Sequence, residues 1–232
     1  MSRVAVVTDS TAYLPDGVAD KHDVQVVPLH VVLGGWSGKE AVEVSPADVA
    51  AALGERRVQV STSRPTPGQL AAAYRAAGAA QVVSVHLSAA LSGTVDSARV
   101  AAEQVAPDGI EVRVVDSGSV AMGLGFAVIA AAEAAAGGAE LDCVESAAAQ
   151  TVTTALFYVD TLEHLRRGGR VTAASALVGA ALGVKPLLVV RDGRIELLEK
   201  VRTFSKALAR LVELAAEAAG DGAVDVAVHH LA

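Results

Sequence analysis

Residues 82–116 read VVSVHLSAALSGTVDSARVAAEQVAPDGIEVRVVD, and this stretch decides the fold. Residues 82–87 form a short β-branched run that stops at a hydroxyl-rich turn, residues 88–94. After Gly93, the residues Val95, Ala98, Ala102 and Val105 recur at helical spacing, and residues 112–116 are β-branched again. Strand, helix and strand in that order require a right-handed crossover and hence a parallel pair. Moving outward, residues 4–8, 24–32 and 58–62 give further strand-like runs, and Leu70, Ala73, Tyr74 and Ala77 mark another helix after Pro67. The expected fold is α/β: an N-terminal Rossmann-like domain, residues 1–155, with a largely parallel sheet covered on both faces and hydroxyl-rich ligand loops.

Beyond residue 155 the pattern changes. Residues 187–191 and 195–200 flank Asp192-Gly193, which supplies the positive φ angles of a two-residue hairpin. A helix is predicted from about Thr203, with Phe204, Leu208, Leu211 and Ala215 on one face, followed by a last strand over 224–228. This second domain, residues 156–232, is expected to be α+β. His229-His230-Leu231-Ala232 follows the last strand directly, so the domain reads as incomplete at its C-terminus.

Composition narrows the function. Of 232 residues, 52% are hydrophobic and 19% charged, which excludes disorder over most of the length. Nineteen basic residues against 26 acidic ones leave a net charge of −7, with no basic face for nucleic acid. Aromatics are 3%, so the core is expected to be Val, Leu and Ala. The lone cysteine, Cys143, forms neither an internal disulfide nor a thiolate metal cluster, which fits the cytoplasm. Asp9 interrupts the N-terminal apolar run before a signal peptide could form. The longest uncharged run, 117–132, falls short of the ~20 residues that span a bilayer and reads as a buried helix, so no stable membrane insertion is expected.

Polar turn residues cluster where the strands end: 8–11, 62–66, 88–94 and 116–118. Ligands of open α/β sheets bind beyond the carboxyl ends of strands, where helix N-termini offer free N–H groups. Each cluster by itself is more readily a helix cap; four on one rim point to a site for an acceptor-rich ligand. Gly123-x-Gly125 lacks the third glycine of a dinucleotide fingerprint, Val128 standing there instead. Neither a Walker A lysine loop nor a Gly-x-Ser-x-Gly elbow occurs, so no cofactor is expected. His86, in an apolar strand, reads as a satisfied core histidine, and His229-His230 has the wrong spacing for zinc, so no metal site is expected. Gly168-Gly169 lets the backbone aim Arg170 away from Arg166 and Arg167, either into solvent or toward an anion.

The order of these segments resembles the DegV family, the fatty-acid-binding subunits of bacterial fatty acid kinases. Six motifs carry the resemblance: residues 8–15 (TDSTAYLP), 62–67 (TSRPTP), 91–94 (LSGT), 115–117 with Gly123-Leu124-Gly125, 165–171, and 185–188 (KPLL). The resemblance implies a DegV-like pair of domains with a long-chain fatty acid buried between them and its carboxyl held by hydroxyls. By motif, Thr62 and Ser92 are the carboxyl ligands, and the loops of Ser63, Gly93 and Thr94 support them. By the same resemblance, Arg170 and Arg202 are expected at the head-group rim or facing a separate kinase catalytic subunit. Arg64 stands where the family usually has Gln, and the family's later His-Thr-Gly-Pro-Gly segment is not in this chain. The implied role is a carrier, not an enzyme: the acyl carboxyl is presented to the kinase, which forms the acyl phosphate. The competing expectation is a Rossmann-like enzyme acting on a small phosphorylated metabolite cradled by Ser92-Gly93-Thr94.

Overall fold

The structure, a computed structural model, describes residues 3–55, 58–171 and 184–230. It divides into two units, residues 1–153 with 229–232, and residues 154–228.

The first unit is built on a parallel sheet of β1 (Val4–Asp9), β2 (Val24–Val27), β6 (Gln81–His86) and β7 (Glu111–Asp116), in the order β2-β1-β6-β7. Period-2 alternation sorts its side chains. Val4, Val6, Val83 and Val85 pack with Leu124 and Val128 of α5 (Met122–Ala136) and Val144 of α6 (Leu141–Ala149). Ala5, Val7 and Val82 pack on the other face with Leu70 and Tyr74 of α3 (Pro67–Ala76) and Ala98 and Val105 of α4 (Thr94–Val105). Both faces are covered, as a parallel sheet requires, and the two apolar clusters on them are aliphatic apart from Tyr74. The uncharged run 117–132 supplies most of α5, whose Leu124 and Val128 are fully buried.

Two expectations from the sequence are corrected here. The run 24–32 breaks at Pro28, which has no N–H for a ladder, and continues as β3 (His30–Leu33) in a different sheet. The run at 58–62 becomes β5 (Val60–Ser63), which pairs antiparallel with β3 and stays outside the parallel sheet. Gly34 and Gly35, with φ of 58° and 96°, turn β3 into β4 (Trp36–Lys39), completing a three-stranded sheet β4-β3-β5. The short helix α1 (Val18–Lys21) precedes β2, and α2 (Pro46–Gly54) leads from β4 toward β5.

The second unit has an antiparallel sheet of β8 (Ala155–Tyr158), β9 (Lys185–Arg191) and β10 (Arg194–Val201), in the order β10-β9-β8. Asp192 and Gly193, at φ 48° and 73°, make the expected hairpin turn. Helix α7 (Glu163–Arg167) precedes the described part of the hairpin, and α8 (Phe204–Ala219) follows it, capped by the Thr203 side chain. Its inward face differs from the sequence reading: Ala207 is buried and Leu211 and Leu214 half-buried, while Phe204 and Leu208 are exposed. Residues 224–228 are not a strand; they are irregular and exposed, Val224, Val226 and Val228 included.

Candidate functional site

At the carboxyl end of β1 the chain enters a single 3-10 turn, Ser10–Ala12, that Asp9 organises. Its carboxylate accepts from the N–H and hydroxyl of Thr11, from the N–H of Leu87 at 3.2 Å, and faces Nδ1 of His86 at 2.9 Å. Nε2 of His86 lies 2.7 Å from Ser84 Oγ, which is 2.9 Å from the Tyr74 hydroxyl. Asp9, His86, Ser84 and Tyr74 are all fully buried. This chain of partners satisfies every polar group it buries, as low-dielectric surroundings demand. Burial pushes the Tyr74 hydroxyl up to about 12, so it remains a neutral hydrogen-bonding group. His86 is thus the core histidine its strand context suggested, and β1 and β6 are locked together at the rim.

The turn also reaches across to the antiparallel sheet. Ser10 Oγ accepts from the Leu29 N–H at 2.9 Å and donates to Glu40 at 2.5 Å. The Tyr13 hydroxyl donates to the other Glu40 oxygen at 2.9 Å. Burial, reinforced by the Glu40 carboxylate, holds the Tyr13 proton on well above the usual tyrosine range. Tyr13 and Ala41 carry left-handed backbone angles, φ 48° and 60°, and so bend the chain on both sides of this cluster.

Between turn and sheet lies a cavity of about 500 Å³. Its walls are mostly aliphatic, Leu14, Val31, Val44, Val49 and Val60 among them, and among the described residues no Lys, Arg or His lines it. Gly38 lets the Trp36 ring and Val44 pack against the β4 backbone, because a Cβ there would meet them at 2.5 Å and 2.8 Å. Four of the lining residues carry hydroxyls: Ser10, Tyr13, Ser45 and Thr62. A hydroxyl has one proton to donate. Ser10 and Tyr13 give theirs to Glu40, and Ser45 gives its to Asp48 at 2.7 Å while capping α2. Thr62, on β5 beside Val31, donates to nothing among the described residues.

Thr62 and Ser92, the two predicted carboxyl ligands, are not helix caps. Thr66 caps α3 in a reciprocal capping box with Gln69, and the N-cap of α4 is Gly93, without a side-chain bond. Ser92 Oγ lies 2.9 Å from the buried Thr94 Oγ1. The loops after Thr62 and around Ser92 adjoin, since Arg64 Nη1 donates to the Gly93 carbonyl at 3.3 Å. Gly93 has no room for a side chain while Arg64 holds this pose, its Nη1 lying 1.6 Å from where a Cβ would stand. Asp116 draws in a third loop by accepting from the Ala89 N–H at 3.2 Å. The cavity lining includes Thr62 and not Ser92, and Ser63 is exposed beside it on β5.

Arg170 and Arg202 belong to the second unit, where both are exposed. Gly169, at φ 75°, lets the Arg170 N–H return to the Leu165 carbonyl at 2.9 Å. Arg166 and Arg167 instead pair with Glu163, and the Arg166 hydrogen bonds hold that carboxyl down to about 2. The residue that sequence reasoning missed is Glu40. It sits in no motif, and the residues that bond it lie 30 and 27 positions away. Among the described residues no cluster of His, Cys, Asp and Glu could hold a metal, and no helix is long and apolar enough to cross a membrane.

Comparison with known proteins places the chain. A family model described as an uncharacterised protein of the DegV family matches residues 3–232. A DegV domain-containing protein of Streptomyces coelicolor is 56% identical over 238 residues, covering 100% of this chain and 83% of its own. One from Mycobacterium tuberculosis is 42% identical over 235 residues, 99% of this chain and 81% of its own. Two solved structures share the fold: a fatty-acid-binding DegV family protein of Thermus thermophilus, TM-score 0.84 and 34% identity, and DegV of Bacillus subtilis, a fatty acid binding protein, TM-score 0.82 and 36% identity. Each alignment covers 94% of this chain and 79% of the other. On a match that runs almost from end to end, the chain belongs to the DegV family.

Proposed function

We propose that this protein is a carrier that binds a long-chain fatty acid and presents its carboxyl group to a separate kinase. The observation that carries the reading is an aliphatic cavity of about 500 Å³ with one uncommitted hydroxyl, Thr62, on its wall. That volume is within the range of small-molecule sites, ~300–1,000 Å³. A buried acyl tail contributes ~0.8 kcal/mol per CH₂, on the order of 10 kcal/mol for a long chain. Relatives of the same fold that bind fatty acids support the ligand class.

The head group in this reading rests on Thr62 and Ser92, with Ser63, Gly93 and Thr94 forming the supporting loops. Neutral hydroxyls hold a carboxylate without a bidentate clamp and leave an oxygen free to attack a phosphoryl donor. The chain offers no Walker A loop for that donor, so the transfer is assigned to a partner kinase, reached through Arg170 and Arg202. A kinase that uses ATP places the pair in the cytoplasm. Calorimetric titration of delipidated protein with hexadecanoic acid tests the reading against Val60→Trp, which fills the cavity from a half-buried wall position. Saturable binding is expected in the wild type, with at least a tenfold loss in a cooperatively melting Val60→Trp. Equal binding by the two would put the ligand elsewhere.

A further inference from the structure

We infer that Glu40 makes the cavity single-ended, admitting one carboxylate at Thr62 and rejecting a ligand that carries a second at its other end. The inference rests on the fatty-acid reading and adds a specificity determinant to it. Across the sheet, Gly38, Val31 and Thr62 stand in one row on β4, β3 and β5. Glu40 lies two residues beyond Gly38, where its N–H bonds the Leu29 carbonyl. Two strand spacings and two residue rises separate the Glu40 and Thr62 backbones by roughly 12 Å. Both side chains line the same cavity.

Charge and proton accounting make the two ends unlike. Ser10 and Tyr13, which would otherwise be good carboxylate donors, have both given their protons to Glu40. A ligand carboxylate arriving there finds an acceptor facing an acceptor. Asp9 adds a second acidic group to the wall, engaged with Thr11, His86 and Leu87, and among the described residues no basic side chain in the lining offsets either. At the Thr62 end the hydroxyl proton is free. A hydrocarbon terminus at the Glu40 end has aliphatic lining residues to meet, Ala12, Ala41 and Val44 among them, whereas an anionic terminus must be desolvated against a like charge.

The experiment is a calorimetric comparison of hexadecanoic acid with hexadecanedioic acid, equal in length and differing in the second carboxylate. Delipidated wild-type protein and Glu40→Gln are titrated with each, and the quantity read is the ratio of the two affinities. Gln keeps the shape and an acceptor oxygen while replacing the negative oxygen with an N–H donor. The wild type is expected to favour the monoacid, and Glu40→Gln is expected to cut that preference at least tenfold. Glu40→Ala, which removes the charge without the amide, reads the same ratio if Glu40→Gln does not melt cooperatively. A preference that falls less than tenfold in a folded variant overturns the role of Glu40 and leaves fatty-acid binding intact. Failure of the wild type to bind the monoacid overturns the fatty-acid reading, and this inference with it.

Discussion

Thr62 and Ser10 put hydroxyls on the same cavity wall, yet only Thr62 has a proton left to donate. That difference governs what substitutions should do. Thr62→Val keeps the side chain's shape and deletes the hydroxyl, and Ser92→Ala removes the other proposed ligand. Loss of a hydrogen bond to a charged group costs about 1.5–3 kcal/mol, against the order of 10 kcal/mol from the tail. The double variant is therefore expected to retain fatty acid and to melt cooperatively. Its acyl phosphate yield with kinase and ATP should fall steeply, because attack geometry is sensitive to displacements near 1 Å. Wild-type yield would move the head group to another loop. Arg170→Ala and Arg202→Ala, in contrast, should keep their lipid and weaken phosphorylation if these arginines serve the proposed kinase docking, which exposed charges affect more than ligand affinity. A folded but lipid-free variant at either position would make that arginine a ligand. Thr62 and Ser92 were reached through motif resemblance. Glu40 could not be, because an isolated acidic residue acquires meaning only when folding brings Ser10 and Tyr13 to it.

At the level of elements, the parallel core was readable because its strands are short β-branched runs separated by helical periodicity, as in residues 82–116. Strand partners were less readable. Nothing in residues 58–62 distinguishes a parallel strand from the antiparallel β5, and the decisive clues, Pro28 and Gly34-Gly35, lie in neighbouring segments. Helix α8 carries one broad apolar stripe, so periodicity alone could not choose its Ala207, Leu211 and Leu214 edge over Phe204 and Leu208 as the inward face. Gly125 shows how a faint motif acquires a structural meaning. Within α5 it faces the 3-10 turn, and an added Cβ would come 2.9 Å from the Ala12 carbonyl oxygen and 2.5 Å from Met122 Sδ. Gly125→Ala should destabilise the protein by about 1–3 kcal/mol through overpacking, measured by urea unfolding, and weaken fatty acid binding because Ala12 is part of the cavity wall. Unchanged stability would mean that the turn can shift freely. Thr66→Ala should cost about 1 kcal/mol by removing the α3 cap, a loss the same unfolding experiment resolves.

In the whole molecule, one unit holds the cavity and the Thr62 and Ser92 loops, while the second carries Arg170 and Arg202. With a net charge of −7 and no phosphate loop, the protein alone is expected to show no saturable ATP binding by calorimetry. Micromolar binding would favour an enzyme acting on a phosphorylated metabolite. Fatty acid should also raise the melting temperature, because a ligand held at 100 times its Kd stabilises the native state by about 2.7 kcal/mol. The most direct test of the central claim is native mass spectrometry of freshly purified protein, followed by organic extraction and identification of what is released. The account predicts one long-chain fatty acid per chain, lost on delipidation and regained on titration. Protein that melts cooperatively, carries no lipid and takes up none when offered it would contradict the account.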